Sequence, residues 1–160
     1  MAAEAILHLI PVWLGEAGGT DQLAPMSLQA VREVRTYYVE HERSARRALR
    51  RMDPGFDLDR IDLHVLDKDT DDATVRRYAE RVREVGQAAV LSESGMPCIA
   101  DPGARLVALA HTMNIEVRPH PGPSSLLLAL AASGLDGQHF VFHGYLPREA
   151  DERRRVLRAI

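Results

Sequence analysis

Cysteine is nearly absent from this chain. Cys98 is the only one in 160 residues, so no disulfide can close within it. A lone thiol suits a reducing cytosol, and a cytoplasmic protein is the expectation. Lysine is equally scarce: Lys68 stands alone and arginine carries the remaining positive charge. Long apolar runs are missing too. The stretch Ala5–Leu14 is interrupted by His8, and no segment approaches the ~20 apolar residues of a membrane span. Met1–Glu4 lacks the basic start of a secretory leader. A net charge of −3 gives no global attraction to nucleic acid or anionic membrane, although a local basic surface stays open.

Signature motifs are lacking as well. Neither a Gly-x-Gly-x-x-Gly run nor a Walker A sequence occurs, which argues against a classical nucleotide site. No Gly-x-Ser-x-Gly elbow is present, so the serines near residue 92 are weak nucleophile candidates. The seven histidines are scattered. His139 and His143 would sit about 13 Å apart on a strand, too far to share one ion, and no metal site is expected. Asp67–Asp72 imitates a calcium loop but lacks its sixth-position glycine, and Tyr78 replaces the bidentate glutamate. It reads better as the acidic start of a helix.

What is present alternates regularly. Apolar or β-branched runs at Ala5–Pro11, Thr36–Glu40, Ile61–Leu66, Ala88–Leu91 and Ile115–Arg118 predict strands. Between and after them, helical spacing predicts Ser27–Arg35, Arg43–Arg51, Thr70–Val85, a helix from Asp101-Pro102 to Asn114, and Leu126–Ala132. Five strand-helix units predict an α/β fold, a mostly parallel five-stranded sheet with helices on both faces. Phe140–Gly144 predicts one further strand and Arg148–Ile160 one further helix. These suggest a first domain over residues 1–136 and the start of a second α/β domain over 137–160.

Two small-residue loops lie one unit apart, Ser92–Cys98 after the fourth strand and Pro121–Ser125 after the fifth. They are a ligand site or else ordinary turn chemistry. With their amides, hydroxyls and Glu93 they suit a flexible polar cofactor. The arginines of the second helix, Arg43, Arg46, Arg47, Arg50 and Arg51, meet a polyanion such as RNA or form a solvated face. Cys98 follows a proline with no evident base, which favours an inert role.

The run Leu91-Ser92-Glu93-Ser94-Gly95-Met96-Pro97-Cys98-Ile99-Ala100-Asp101-Pro102-Gly103 resembles the Ser-Asp-Ala-Gly-x-Pro-x-x-x-Asp-Pro-Gly signature of the tetrapyrrole methylase superfamily. The branch it resembles most contains the ribosomal small-subunit RNA (cytidine-2′-O)-methyltransferases. Pro121–Ser124, Ala132–Leu135, Phe142–Arg148, and Glu40 followed by Arg43, Arg46 and Arg47 match that branch in order and spacing. Departures occur at Ile10-Pro11-Val12-Trp13-Leu14-Gly15, where the branch usually has Thr-Pro-Ile-Gly-Asn-Leu, at Glu93 in place of Asp, and at His41-Glu42 in place of Asp-Thr.

The resemblance implies a methyltransferase using S-adenosylmethionine, usually a homodimer of two-domain chains, with ribosomal RNA as acceptor and no metal. A tetrapyrrole or other small molecule is the alternative acceptor; a non-catalytic fragment binding cofactor or a partner is the alternative class. The cofactor would touch Pro11, Ser92, Glu93, Ser94, Gly95, Met96, Ser124 and Ser125. Arg43, Arg46 and Arg47 would meet the substrate. No residue is singled out as general base.

Overall fold

The computed structural model describes residues 5–160, so the segment Met1–Glu4 lies outside the described residues. Strands β1 (Ile6–Ile10), β2 (Thr36–Val39), β3 (Asp62–Val65), β4 (Gln87–Leu91) and β5 (Glu116–Pro119) form one sheet in the order β3-β2-β4-β1-β5. Every pairing is parallel, as the expectation of a mostly parallel sheet required. Helices α1 (Pro25–Glu33), α2 (Glu42–Met52), α3 (Asp72–Val85) and α4 (Ala104–Thr112) cross between the strands; α5 (Ser125–Ser133) and α6 (Ala150–Ala159) follow β5.

β2 explains how both faces are covered. Neighbouring residues on a strand point to opposite sides. Tyr37 joins the cluster with α1 and α2, whereas Tyr38 joins the cluster with α3 and α4. Both rings are fully buried, so each hydroxyl needs a partner. Tyr37 donates to the Val31 carbonyl of α1 and Tyr38 to the Tyr78 carbonyl of α3, both at 2.8 Å. Two adjacent residues thereby hold one helix on each face. Across the sheet, Leu7 and Leu9 of β1 and Ala88 and Val90 of β4 face α3 and α4, while Ile10, Ala89 and Leu91 face α1 and α2. Leu106 is fully buried and anchors α4; cutting it to Ala would cost about 2–5 kcal/mol.

Helix ends follow local chemistry. Asp71 caps α3 by accepting from Thr74 N at 2.7 Å, and Gly86 closes it at φ +79°. Asn114, at φ +54°, ends α4. The beginning of α4 differs from the expectation. Gly103, not Asp101, is its N-cap, and the helix starts at Ala104. Asp101-Pro102 form a turn before it, because the backbone still passes through a left-handed position at Gly103, φ +125°. Phe140–Gly144 is not a strand. It carries strand-forming residues but pairs with no neighbouring strand, and without a ladder its amides cannot be satisfied as β-structure. The final helix is shorter than expected, and neither α5 nor α6 buries a single residue. Among the described residues no helix is long and apolar enough to cross a membrane.

Candidate functional site

The crossovers define where a ligand can sit. From β1 the chain passes to β2 over one face; from β4 it passes to β5 over the other. The carboxyl ends of these adjacent strands therefore diverge, which is where open α/β sheets hold ligands. The two loops leaving them are tied together. Val12 N donates to Gly95 O at 3.0 Å and Gly95 N to Val12 O at 2.8 Å. Ser92 completes the knot: its hydroxyl accepts from Val12 N at 3.1 Å and donates to Gly95 O at 2.6 Å.

Backbone conformation in the β4–α4 loop is unusual. Gly95, Cys98, Ala100 and Gly103 all have positive φ. For Cys98 and Ala100 this costs about 1–2 kcal/mol each. Strain of this kind persists where surrounding contacts over-determine it, and it clusters at functional sites. Gly95 also has little spare room: a Cβ there would lie 3.3 Å from both Leu14 and the Pro123 carbonyl.

The β5–α5 loop supplies the third wall. Gly122 sits so close to Pro11 that a Cβ would fall 2.3 Å from its ring. Ser27, buried at the start of α1, donates to the Pro121 carbonyl at 3.4 Å. Ser124 caps α5, accepting from Leu127 N at 3.4 Å.

Most of the residues singled out as cofactor contacts do come together. A cavity of about 170 Å³ is lined by Ser94, Gly95, Met96, Ser124 and Ser125, with Ile99, Ala100 and Leu126 beside them and Phe142 and Tyr145 as a roof. Three expected contacts stand elsewhere. Pro11 is fully buried beneath Gly122. Ser92 is buried, and its hydroxyl is committed to the loop knot. Glu93 turns toward α2, accepting from Ser44 at 2.6 Å with His41 at 3.7 Å. Sequence reasoning does not find this aromatic wall: Phe142 falls within the predicted strand Phe140–Gly144, and Phe142–Arg148 stands out only as a motif of the resembled branch.

A second, larger cavity of about 570 Å³ adjoins the first through Ser94. Trp13, Gly15 and Glu16 of the β1 loop face Ser44, Arg47, Ala48 and Arg51 of α2 across it. Helical geometry sorts the arginines. Arg47 and Arg51 share the Ser44 face, while Arg46 points away and donates to the Leu58 carbonyl at 3.5 Å. Arg43 is exposed and lines neither cavity. Of the three substrate contacts the resemblance implies, only Arg47 lines this cavity, and Arg51, another arginine of the same basic helix, joins it there.

A third recess holds Glu40, Asp101, Lys68 and Arg105. Partial burial pushes the Asp101 carboxyl up to about 6, and the negative charges of Glu40 and Glu93 push the same way. Burial likewise raises the Cys98 thiol to about 11, with Asp101 adding to it. Cys98 is thus a protonated packing residue, not a nucleophile. Among the described residues no group of three or more His, Cys, Asp or Glu side chains could hold a metal ion.

A doubly covered parallel sheet with a ligand cleft between two diverging loops is the architecture of a cofactor-binding α/β domain. The chain belongs to the family described as Tetrapyrrole (Corrin/Porphyrin) Methylases, which it matches over residues 17–160. Among its relatives, ribosomal RNA small subunit methyltransferase I of Xylella fastidiosa strain Temecula1 is 33% identical over 154 residues, 96% of this chain and 54% of that protein. The protein of the same name from Pseudomonas aeruginosa is 32% identical, covering 89% of this chain and 49% of its own length. That of Thermotoga maritima is 41% identical over 86 residues, 54% of this chain and 38% of the relative. The chain spans about half the length of the relatives it matches.

Proposed function

We propose that the chain is the cofactor-holding part of an S-adenosylmethionine-dependent methyltransferase with ribosomal RNA as acceptor. The observation that carries this is the meeting of Ser94, Gly95, Met96, Ser124 and Ser125 around one cavity above the diverging strands. Family membership and the names of the relatives described above, which are those of ribosomal RNA methyltransferases, support the chemistry.

The lining fits such a cofactor in kind. Small residues let the backbone approach closely, Ser94 and Ser125 offer hydroxyls, and Met96, Ile99 and Phe142 give apolar contact for a sulfonium chain or an adenine. In size the cavity takes one end of the molecule, being smaller than the roughly 300–1,000 Å³ usual for ligand pockets. When bound, S-adenosylmethionine supplies an electrophilic methyl group. The chain's own work is positional: the tied loops fix the floor, and α2 presents cations where an acceptor would approach.

The test is retention of S-adenosylmethionine, read by calorimetry, together with transfer of labelled methyl to ribosomal subunits by the full-length protein. Binding with transfer to RNA supports the reading. Transfer to a tetrapyrrole alone would reassign the acceptor, and absence of any cofactor binding would sink the proposal.

A further inference from the structure

Trp13 is the only tryptophan in the chain, and it stands on the wall of the larger cavity. The Arg51 guanidinium lies over its indole, 4.6 Å from the ring centroid, while Arg51 Nη2 donates to the Gly18 carbonyl. Arg47, one turn earlier on α2, lines the same cavity. The charge there is mixed, since Glu16 and Glu93 share the walls. A bare anion hole would not carry two carboxylates, nor would it need an indole. A flat aromatic, stacked guanidinium, flanking cation and carboxylate acceptors match a nucleotide instead. The base needs a stacking surface, its exocyclic amine an acceptor, and its phosphate a cation. At about 570 Å³ the cavity has room for one.

We infer that Trp13 and Arg51 form a stacking platform that receives an unpaired base of the RNA acceptor, with Arg47 taking the adjoining phosphate. This rests on the RNA-methyltransferase reading and names the part of the substrate that the site grips. A paired base is hidden within its helix, so the platform discriminates for single-stranded or looped RNA. The Trp13–Arg51 contact already orders the indole before RNA arrives.

Because Trp13 is the sole tryptophan, its fluorescence reports on the platform directly. The chain is titrated with a single-stranded oligoribonucleotide, and anisotropy of a labelled strand is followed in parallel. The expected result is saturable quenching with the same midpoint as the anisotropy change, and binding at least tenfold weaker for a duplex. Trp13→Ala should weaken binding about tenfold with the salt slope unchanged. Arg47→Gln should lower that slope by about one. Trp13 also packs against the core, so circular dichroism checks the Ala variant, and Trp13→Phe, which keeps a ring, should retain most of the affinity. Anisotropy binding with unmoved fluorescence and an unaffected Trp13→Ala variant would overturn the platform and leave the RNA reading standing. No binding of RNA by any readout would overturn both. Quenching by a planar tetrapyrrole but not by RNA would overturn the inference and assign the cavity to a small molecule.

Discussion

His8 Nδ1 lies 2.9 Å from His120 Nε2, joining the middle of β1 to the end of β5 inside the protein. Both rings are buried. The protons can be placed by elimination. Gln87 Oε1, 3.3 Å from His8 Nε2, can only accept, so His8 Nε2 carries a hydrogen. His8 Nδ1 is then the acceptor, His120 Nε2 the donor, and His120 Nδ1 a bare lone pair without a partner among the described residues. The arrangement holds only while both imidazoles are neutral.

Acid sensitivity follows. Burial lowers both pKa values, His120 to about 4, with Arg118 and the neighbouring imidazole adding to the effect there. At His8, Gln87, Glu116 and Glu33 oppose the shift only in part. Between about pH 6.5 and 4 the unfolded chain binds more protons than the native one, so stability falls as pH falls through that window. Thermal unfolding from pH 7.5 to 5 should show a drop of several degrees. His120→Leu, which removes one titrating ring and the orphaned nitrogen, should flatten the dependence. An unchanged slope in that variant would place the acid sensitivity elsewhere.

Asp101 works in the opposite direction. Its carboxyl, raised to about 6 by burial and by the Glu40 and Glu93 charges, binds its proton more tightly in the native state than in the unfolded. Its contribution is therefore favourable below about pH 4 and is lost as pH rises through 6. Asp101→Asn should stabilise the protein at pH 7.5 by about 1 kcal/mol, a value reduced for the part of the carboxylate still in water. Denaturant unfolding at pH 7.5 and pH 4.5 checks it: the gain should vanish at the lower pH.

Ser92 and Ser94 are two residues apart and should separate cleanly. Ser92→Ala removes both bonds of the loop knot and should cost about 1–2 kcal/mol of stability. Ser94→Ala, on an exposed position lining both cavities, should leave stability within about 0.5 kcal/mol. Its effect should appear as weaker S-adenosylmethionine binding in calorimetry. Equal loss of stability in both variants would contradict this division.

Gly122 offers the sharpest steric test. A Cβ placed 2.3 Å from the Pro11 ring cannot be accommodated without moving the loop. Gly122→Ala should destabilise by about 1–3 kcal/mol and, by lifting Ser124 and Ser125 away from Met96, weaken cofactor binding at least tenfold. Gly137→Ala, where the space is open and φ is not positive, is the matched control and should change neither.

Periodicity made the sheet legible because each strand and helix carries its own instructions. Val75, Ala79 and Val82 repeat at helical spacing, and Gly86 and Asn114 mark helix ends through their tolerance of positive φ. The loop sites showed only as small-residue composition. What sequence could not display were relations between distant residues. His8 and His120 are 112 positions apart, and Trp13 meets Arg51 only because β1 and α2 converge. Asp101-Pro102 has the composition of a helix start, yet the loop needs two more residues to turn, so Gly103 takes the cap. Phe140–Gly144 has strand propensity with nothing to pair against, and propensity there yields to the missing ladder.

The knot between Val12, Ser92 and Gly95 also bears on how fast a ligand arrives. Four hydrogen bonds among three residues leave this segment little freedom to swing as a lid. Entry to the smaller cavity is then governed by the Phe142–Tyr145 side, where the rings meet edge to face at 6.4 Å between centroids and both stand exposed. A stopped-flow record of association should accordingly contain a single phase when the roof is trimmed by Tyr145→Ala, with the floor adding no slow rearrangement of its own.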